Sequence, residues 1–199
     1  LSAYVDRARG TSTDPADIIV TSGFIQSLQL IARVMLRSGR TRVAVEDPWH
    51  EDYRRALVAA GLEVVTVPVD EEGLIVDGLS DAEPDLVVST PAQQFPTGAV
   101  LSAARRAQLL DWAASADGLI VEDDYDAEFR YDREPIGALQ GLDPDRVIYA
   151  GTASKTLAPG LRLGWLAVPQ RLSRPIARAK LAADYGSGAI DQLTLADLI

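Results

Sequence analysis

The sequence predicts an α/β fold, a three-layer α/β/α sandwich around a mostly parallel sheet of roughly seven strands. Three observations predict it. Short apolar runs alternate with longer segments of helical period along the whole chain. The runs are hydrophobic throughout, as strands covered on both faces must be. The polar clusters fall mostly where those runs end, and in open α/β sheets ligands bind outside the carboxyl ends of the strands.

Taken in order, residues 1–9 read as the end of a helix. Residues 17–20 form a short apolar run, followed by Thr21-Ser22-Gly23 and a helical pattern over 24–36 with Ile25, Leu28, Ile31, Ala32 and Met35 on one side. A strand at 42–45 ends in Glu46-Asp47-Pro48, and a helix at 53–60 is closed by Gly61. Next come a strand at 64–69, a turn at 70–73 and a strand at 85–89 that runs into Thr90-Pro91. Pro96-Thr97-Gly98 is a turn, and Ser102 is placed to cap a helix over 103–114. A strand at 119–121 leads into an acid cluster. Strands at 146–150 and 163–168 and a helix at 171–183 follow, and 189–199 is again an apolar helical pattern.

Composition narrows the function classes. A chain of 199 residues can bury a sizeable core. It has no cysteine, which excludes disulfides and thiolate metal sites and fits a cytoplasmic protein. No apolar run reaches membrane-spanning length, and no membrane partner is expected. The net charge of −10 makes the chain by itself a poor nucleic-acid binder, because phosphate contacts need a basic patch. Both ends read as cut: residue 1 is Leu, and the last helical pattern has no Gly or Pro terminator. The expectation is one large domain, 1–199, excised from a longer protein.

The chemistry centres on residues 149–169, YAGTASKTLAPGLRLGWLAVP. Lys155 and Lys180 are the only lysines in a chain with 19 basic residues. Arginine serves as well on a solvated face, but cannot replace lysine where an amine must lose its proton and attack a carbonyl. The alternative is a snorkelling surface lysine. Thr21-Ser22-Gly23, between strand and helix, reads either as an anion site built from helix N–H groups or as an ordinary cap. Thr152 and Ser154 offer hydroxyls near Lys155, and Arg162 is either a phosphate clamp or half of a surface ion pair. Glu122-Asp123-Asp124 suggests a metal site, an acid paired with a buried cation, or a solvated loop. No serine elbow, Walker loop or dinucleotide glycine fingerprint is present. A lysine amine, a phosphate cradle and a buried carboxylate have one economical explanation, pyridoxal 5'-phosphate.

At these residues the sequence resembles fold-type I pyridoxal phosphate enzymes, the aspartate aminotransferase superfamily. SKTLAPGLRLGW at 154–165 carries that resemblance. EDDYDAEFRY at 122–131 and TPAQQFPTG at 90–98 are similar to the aminotransferase-like domain of MocR-type regulators of the GntR superfamily. The resemblance covers essentially the whole chain. It implies that Lys155 holds the cofactor as a Schiff base, that Asp123 pairs with the ring nitrogen, and that Tyr125 bonds the ring phenolate oxygen. It further implies phosphate binding by Ser22, Gly23 and Phe24, with Thr152, Ser154 and Arg162 adding side chains, and stacking of His50 on the ring. No metal is implied.

There are departures from the pattern. Phe24 and Ile25 stand where the family has a polar residue and Gln, leaving amides alone at that point. Gln93 stands where MocR-like proteins usually have His. Phe95 stands where aminotransferases have an Asn that holds the phenolate oxygen. Three readings follow. The first is a cofactor-binding domain that senses an amino acid or amine effector and relays it to DNA through a winged helix-turn-helix outside this chain, with the full-length protein a homodimer. The second is a free-standing class I/II aminotransferase, and the third a degenerate, non-enzymatic domain.

Overall fold

The computed structural model describes residues 1–125, 137–153 and 159–199. In chain order these form α1 (Ser2–Arg9), β1 (Ile18–Thr21), α2 (Phe24–Arg37), β2 (Arg42–Asp47), α3 (Glu51–Ala60), β3 (Glu63–Asp70), β4 (Gly73–Leu74), α4 (Gly78–Ala82), β5 (Leu86–Ser89), α5 (Ala103–Ser115), β6 (Leu119–Asp124), β7 (Val147–Thr152), β8 (Gly164–Ala167), α6 (Gln170–Asp184) and α7 (Ala189–Leu198).

The strands make one eight-stranded sheet in the order β1-β8-β7-β6-β5-β2-β3-β4. The five central strands, from β7 to β3, are parallel. β8 runs antiparallel to both β7 and β1, so β1 points the same way as the parallel set. The eighth strand is β4, which is only two residues long. The reading of 70–73 as a turn captured its hairpin: Val69 pairs with Leu74 and Asp70 with Gly73. Two residues are too few to show an alternating pattern.

Alternation along each strand sends one set of side chains to each face. Val43, Val45, Val88, Val121 and Ile148 pack under α2, α3 and α6. Ala44, Val87 and Ile120 pack on the other face against Leu79 of α4 and Leu109 and Ala113 of α5. Farther along that face, Tyr149, Trp165 and Ala167 are covered by Val5 of α1 and Leu195 of α7. The three layers follow from this. Each fully buried Leu or Ile contributes about 1.5–3 kcal/mol by removal from water.

The topology fixes where function can sit. The carboxyl ends of β1, β2, β5, β6 and β7 all lie along one edge of the sheet, and the reversed β8 enters at that same edge. Among the described residues, no helix is long and apolar enough to cross a membrane.

Candidate functional site

The crevice at that edge starts with the loop after β1. Gly23 caps α2 with φ 115° and ψ 177°, and no side chain bonds the first turn. Among the described residues, the N–H groups of that turn therefore have no side-chain capping partner, and the helix dipole adds partial positive charge there. Ser22 N–H donates to Gln26 Oε1 at 2.9 Å, and Gln26 Nε2 donates to Asp184 Oδ2 at 2.8 Å. The loop is thus tied to the end of α6.

Arg162 closes over this loop. A Cβ built on Gly23 would lie 3.0 Å from Arg162 Nη2, and one built on Gly164 would lie 3.2 Å from Gly23 Cα. Only glycine lets a guanidinium and a helix N-terminus converge so closely. Thr152, opposite Gly164 across the β7–β8 pairing, stands beside them at the end of β7. Its hydroxyl makes a long 3.4 Å bond to the Leu163 carbonyl.

β6 supplies the acid. It runs on through Glu122 and Asp123 to Asp124, all three buried. Alternation turns Asp123 to the α2–α3 side and its two neighbours to the other side. The Asp123 carboxyl is 6% exposed. Burial, with the charges of Asp124 and Glu46 adding, pushes it well above the usual carboxylate range. Among the described residues it accepts no hydrogen bond. A buried, unpaired carboxyl is costly unless a partner arrives or it keeps its proton.

Glu46, at the end of β2, is a scaffold rather than a free acid. It accepts from Ser89 Oγ (2.6 Å), Thr90 N (2.9 Å), Thr90 Oγ1 (2.6 Å) and Gln94 Nε2 (3.2 Å). Burial raises its carboxyl and these bonds oppose the rise. Gln94 in turn donates to the Pro48 and Phe95 carbonyls and accepts from Thr97, so one buried amide shapes the whole loop over 90–98.

His50 stacks on Tyr53, with ring centroids 4.4 Å apart and planes 22° apart, and lies 5.9 Å from Phe95. Its buried Nδ1 has no partner among the described residues. Tyr53 also meets Phe24 edge-on at 5.1 Å. Burial raises the Tyr53 phenol, with Asp123 adding to the rise and Arg162 opposing it. Tyr53 therefore stands in the field of both. It went unrecognised in the sequence, where it only began a helix. The signal was its position three residues after His50, which puts both on one helix side.

Of the residues singled out in the sequence, the structure brings Ser22, Gly23, Phe24, His50, Asp123, Thr152 and Arg162 to one edge. Tyr125, half-buried, directly follows β6 at that edge. Lys155 and Ser154 lie outside the described residues. No group of three or more His, Asp or Glu among the described residues could hold a metal ion.

Behind Asp123, on the other face, lies a second polar layer. Arg9 Nε donates to Asp124 Oδ2 at 2.7 Å, with the two side chains 4% and 2% exposed. The Tyr149 hydroxyl donates to the same oxygen at 2.8 Å, while Asp124 Oδ1 has no partner among the described residues. Glu122 accepts from the Leu139 and Gln140 amides at 3.0 and 3.2 Å. Burial, with Asp124 adding, raises it to about 7. Arg106, from α5, donates to the Gly137 carbonyl. An acid of this cluster paired with a buried cation is one of the readings the sequence offers, and Asp124 with Arg9 is that pair. The identity of the cation and the parts played by Tyr149, Leu139, Gln140 and Arg106 are not visible in the sequence.

A mostly parallel sheet with a glycine-opened helix start, a buried acid and an arginine at the strand ends defines the class: an α/β protein with polar groups gathered at the carboxyl edge of its sheet. Comparison with known proteins gives the family. Residues 1–190 match the model for aminotransferase class I and II, and the chain belongs to that family. The uncharacterized HTH-type transcriptional regulator YhdI of Bacillus subtilis is 40% identical over 200 residues, 100% of this chain and 42% of the relative. The HTH-type pyridoxine biosynthesis transcriptional regulator PdxR of Corynebacterium glutamicum is 36% identical over 100% of this chain and 43% of the relative. The chain thus spans less than half the length of these relatives. Among solved structures, the kynurenine aminotransferase of Pyrococcus horikoshii, in complex with PMP, KYN as substrates and KYA as products, superposes with a TM-score of 0.87 at 30% identity. That match covers 96% of this chain and 50% of the other.

Proposed function

We propose that this chain is the pyridoxal 5'-phosphate-binding, effector-sensing domain of a MocR-type regulator, with the cofactor held covalently through Lys155. The observation that carries the reading is the buried carboxyl of Asp123, which accepts no hydrogen bond among the described residues, at the same sheet edge as the Gly23–Arg162 cradle. A buried acid and a helix N-terminus joined by an arginine fit the two ends of one pyridoxal phosphate. Relatives named as HTH-type transcriptional regulators align over the whole chain and support the regulatory part.

The residues present suit the group. The first-turn amides at Gly23 and Phe24, with Ser22, Thr152, Ser154 and Arg162, would hold its phosphate. Asp123 would keep the ring nitrogen protonated, Tyr125 would donate to the phenolate oxygen, and His50 would cover a ring face. When bound, pyridoxal phosphate supplies an aldehyde that condenses with amines and a ring that draws electrons. The effector is then an amino acid or other amine that competes with the Lys155 amine. DNA would be read by a domain outside this chain, and the full-length protein would be a homodimer.

Free-standing aminotransferase activity is the second reading, favoured by the superposition on an aminotransferase. Against it stands Phe95, 46% exposed, where aminotransferases carry the Asn that holds the phenolate oxygen. Adding pyridoxal phosphate to the full chain is expected to give a visible absorbance band that Lys155→Ala abolishes. No band in the wild type would leave only the degenerate reading. Steady transamination of common amino acids by the full-length protein would favour the enzyme.

A further inference from the structure

The end of β6 carries two carboxylates that point to opposite faces. Asp123 turns to the crevice. Asp124 turns away and is gripped on one oxygen by both Arg9 and Tyr149, while its other oxygen is buried without a partner among the described residues. Arg9 is the last residue of α1, so the grip comes from a helix on the face of the sheet opposite Asp123.

α1 is locked in place by close backbone packing. Ala138 N–H donates to the Arg9 carbonyl at 2.7 Å. A Cβ built on Gly141 would lie 1.9 Å from the Gly10 carbonyl oxygen, so no side chain fits there. The Ser12 amide and carbonyl are both bonded by the Gln140 side chain. The same segment donates its Leu139 and Gln140 amides to Glu122. α1, residues 137–141 and the end of β6 therefore form one unit.

We propose that Arg9 is a positioning residue for the crevice: acting through Asp124, and with Tyr149, it fixes the end of β6 and so sets where Asp123 presents its carboxyl. Removing Arg9 leaves a buried charge with one neutral donor, and the strand end must shift to find water or another partner. Because Asp123 is the next residue, it moves too. Charges on Asp123's own side are Glu46 from β2 and Arg162 before β8, with the Tyr53 phenol from α3. Behind it stand Glu122, Asp124, Arg9 and Arg106. α1 and the crevice thereby share one buried network, and a displacement of α1 is felt at Asp123.

This rests on the cofactor reading, so the test carries a cofactor-free arm. Wild type, Arg9→Lys, Arg9→Met and Arg9→Met/Asp124→Asn are prepared as the full chain, with folding checked by circular dichroism. Pyridoxal phosphate affinity and the pH midpoint of its visible band are then measured. Arg9→Met is expected to weaken cofactor about tenfold and to move the midpoint up by about half a unit or more, since a cation is lost behind the acid. Arg9→Lys should recover part of both. The double variant removes the charge pair together. Its midpoint should return towards wild type while its affinity stays weak, because the anchor is still missing.

A folded Arg9→Met, or a folded double variant where the single fails to fold, with wild-type affinity overturns the proposal. If wild-type protein gives no band that Lys155→Ala removes, the cofactor reading has failed. The network is then judged on the cofactor-free chain, where 13C NMR of the Asp123 carboxyl must show an altered shift and a higher titration midpoint in Arg9→Met. An unchanged Asp123 signal overturns it there.

Discussion

At the scale of single residues, Gly23 concentrates the demands of the crevice. Its φ of 115° lies where side chains are rarely found, and its missing Cβ is the space that Arg162 Nη2 approaches. Gly23→Ala is expected to cost about 1–3 kcal/mol, read as a lower urea midpoint. It should also weaken phosphate-bearing ligands by turning Arg162 away. Gly23 and Arg162 were both legible in the sequence, because a glycine between strand and helix and an arginine after Pro-Gly are local signals. Asp123 was legible too, as an acid at a strand end. Tyr53 and Arg9 were not. Their roles come from what they touch across the fold, and nothing in the neighbouring residues records those contacts.

At the scale of elements, the sequence pattern located every long helix and all strands but β4, and it erred mainly at ends. The clearest case is β6. The apolar run stops at Val121, but the strand continues through three carboxylates to Asp124. A strand can do this because each acid has a tertiary answer: amides of Leu139 and Gln140 for Glu122, Arg9 and Tyr149 for Asp124, and the crevice for Asp123. Such answers are invisible to periodicity. Short α4 was missed for a plainer reason, since five residues with one buried side chain, Leu79, leave no helical stripe. Caps were easier to read. Ser102 Oγ accepts from Arg105 N at 3.3 Å at the start of α5, as its position implied. Ser102→Ala is expected to lower stability by about 1 kcal/mol in equilibrium unfolding, without effect on ligand binding.

At the scale of the molecule, the buried acids make stability depend on pH in an unusual direction. Glu122 has its carboxyl raised to about 7 from an ordinary 4.5. The folded chain therefore holds that proton more tightly than the unfolded chain. The resulting stabilisation is complete below the unfolded value and is lost as pH rises through the folded one. The loss is on the order of 3 kcal/mol between mildly acidic and neutral pH. Asp123 and Glu46 shift the same way. Asp184 works oppositely: its bonds from Lys180 and Gln26 lower it to about 2, so its contribution survives until pH falls through that range. Urea midpoints should accordingly fall between pH 5 and 7, and Glu122→Gln should flatten that fall. A wild-type midpoint that rises over this interval would show that Glu122 is ionised at little cost.

The reversed strand β8 also has a consequence for how the chain comes together. Thr21 near one end of the sequence lies beside Gly164 near the other, with most of the chain between them. The central parallel strands can assemble from shorter loops, whereas this pairing must wait for the longest closure of any strand pair described. During synthesis, β1 emerges long before β8, the one strand it pairs with among the described residues. The Gly23–Arg162 side of the crevice is therefore complete only once this pairing has closed. Any chain that can bind a ligand there has already completed its longest strand pairing.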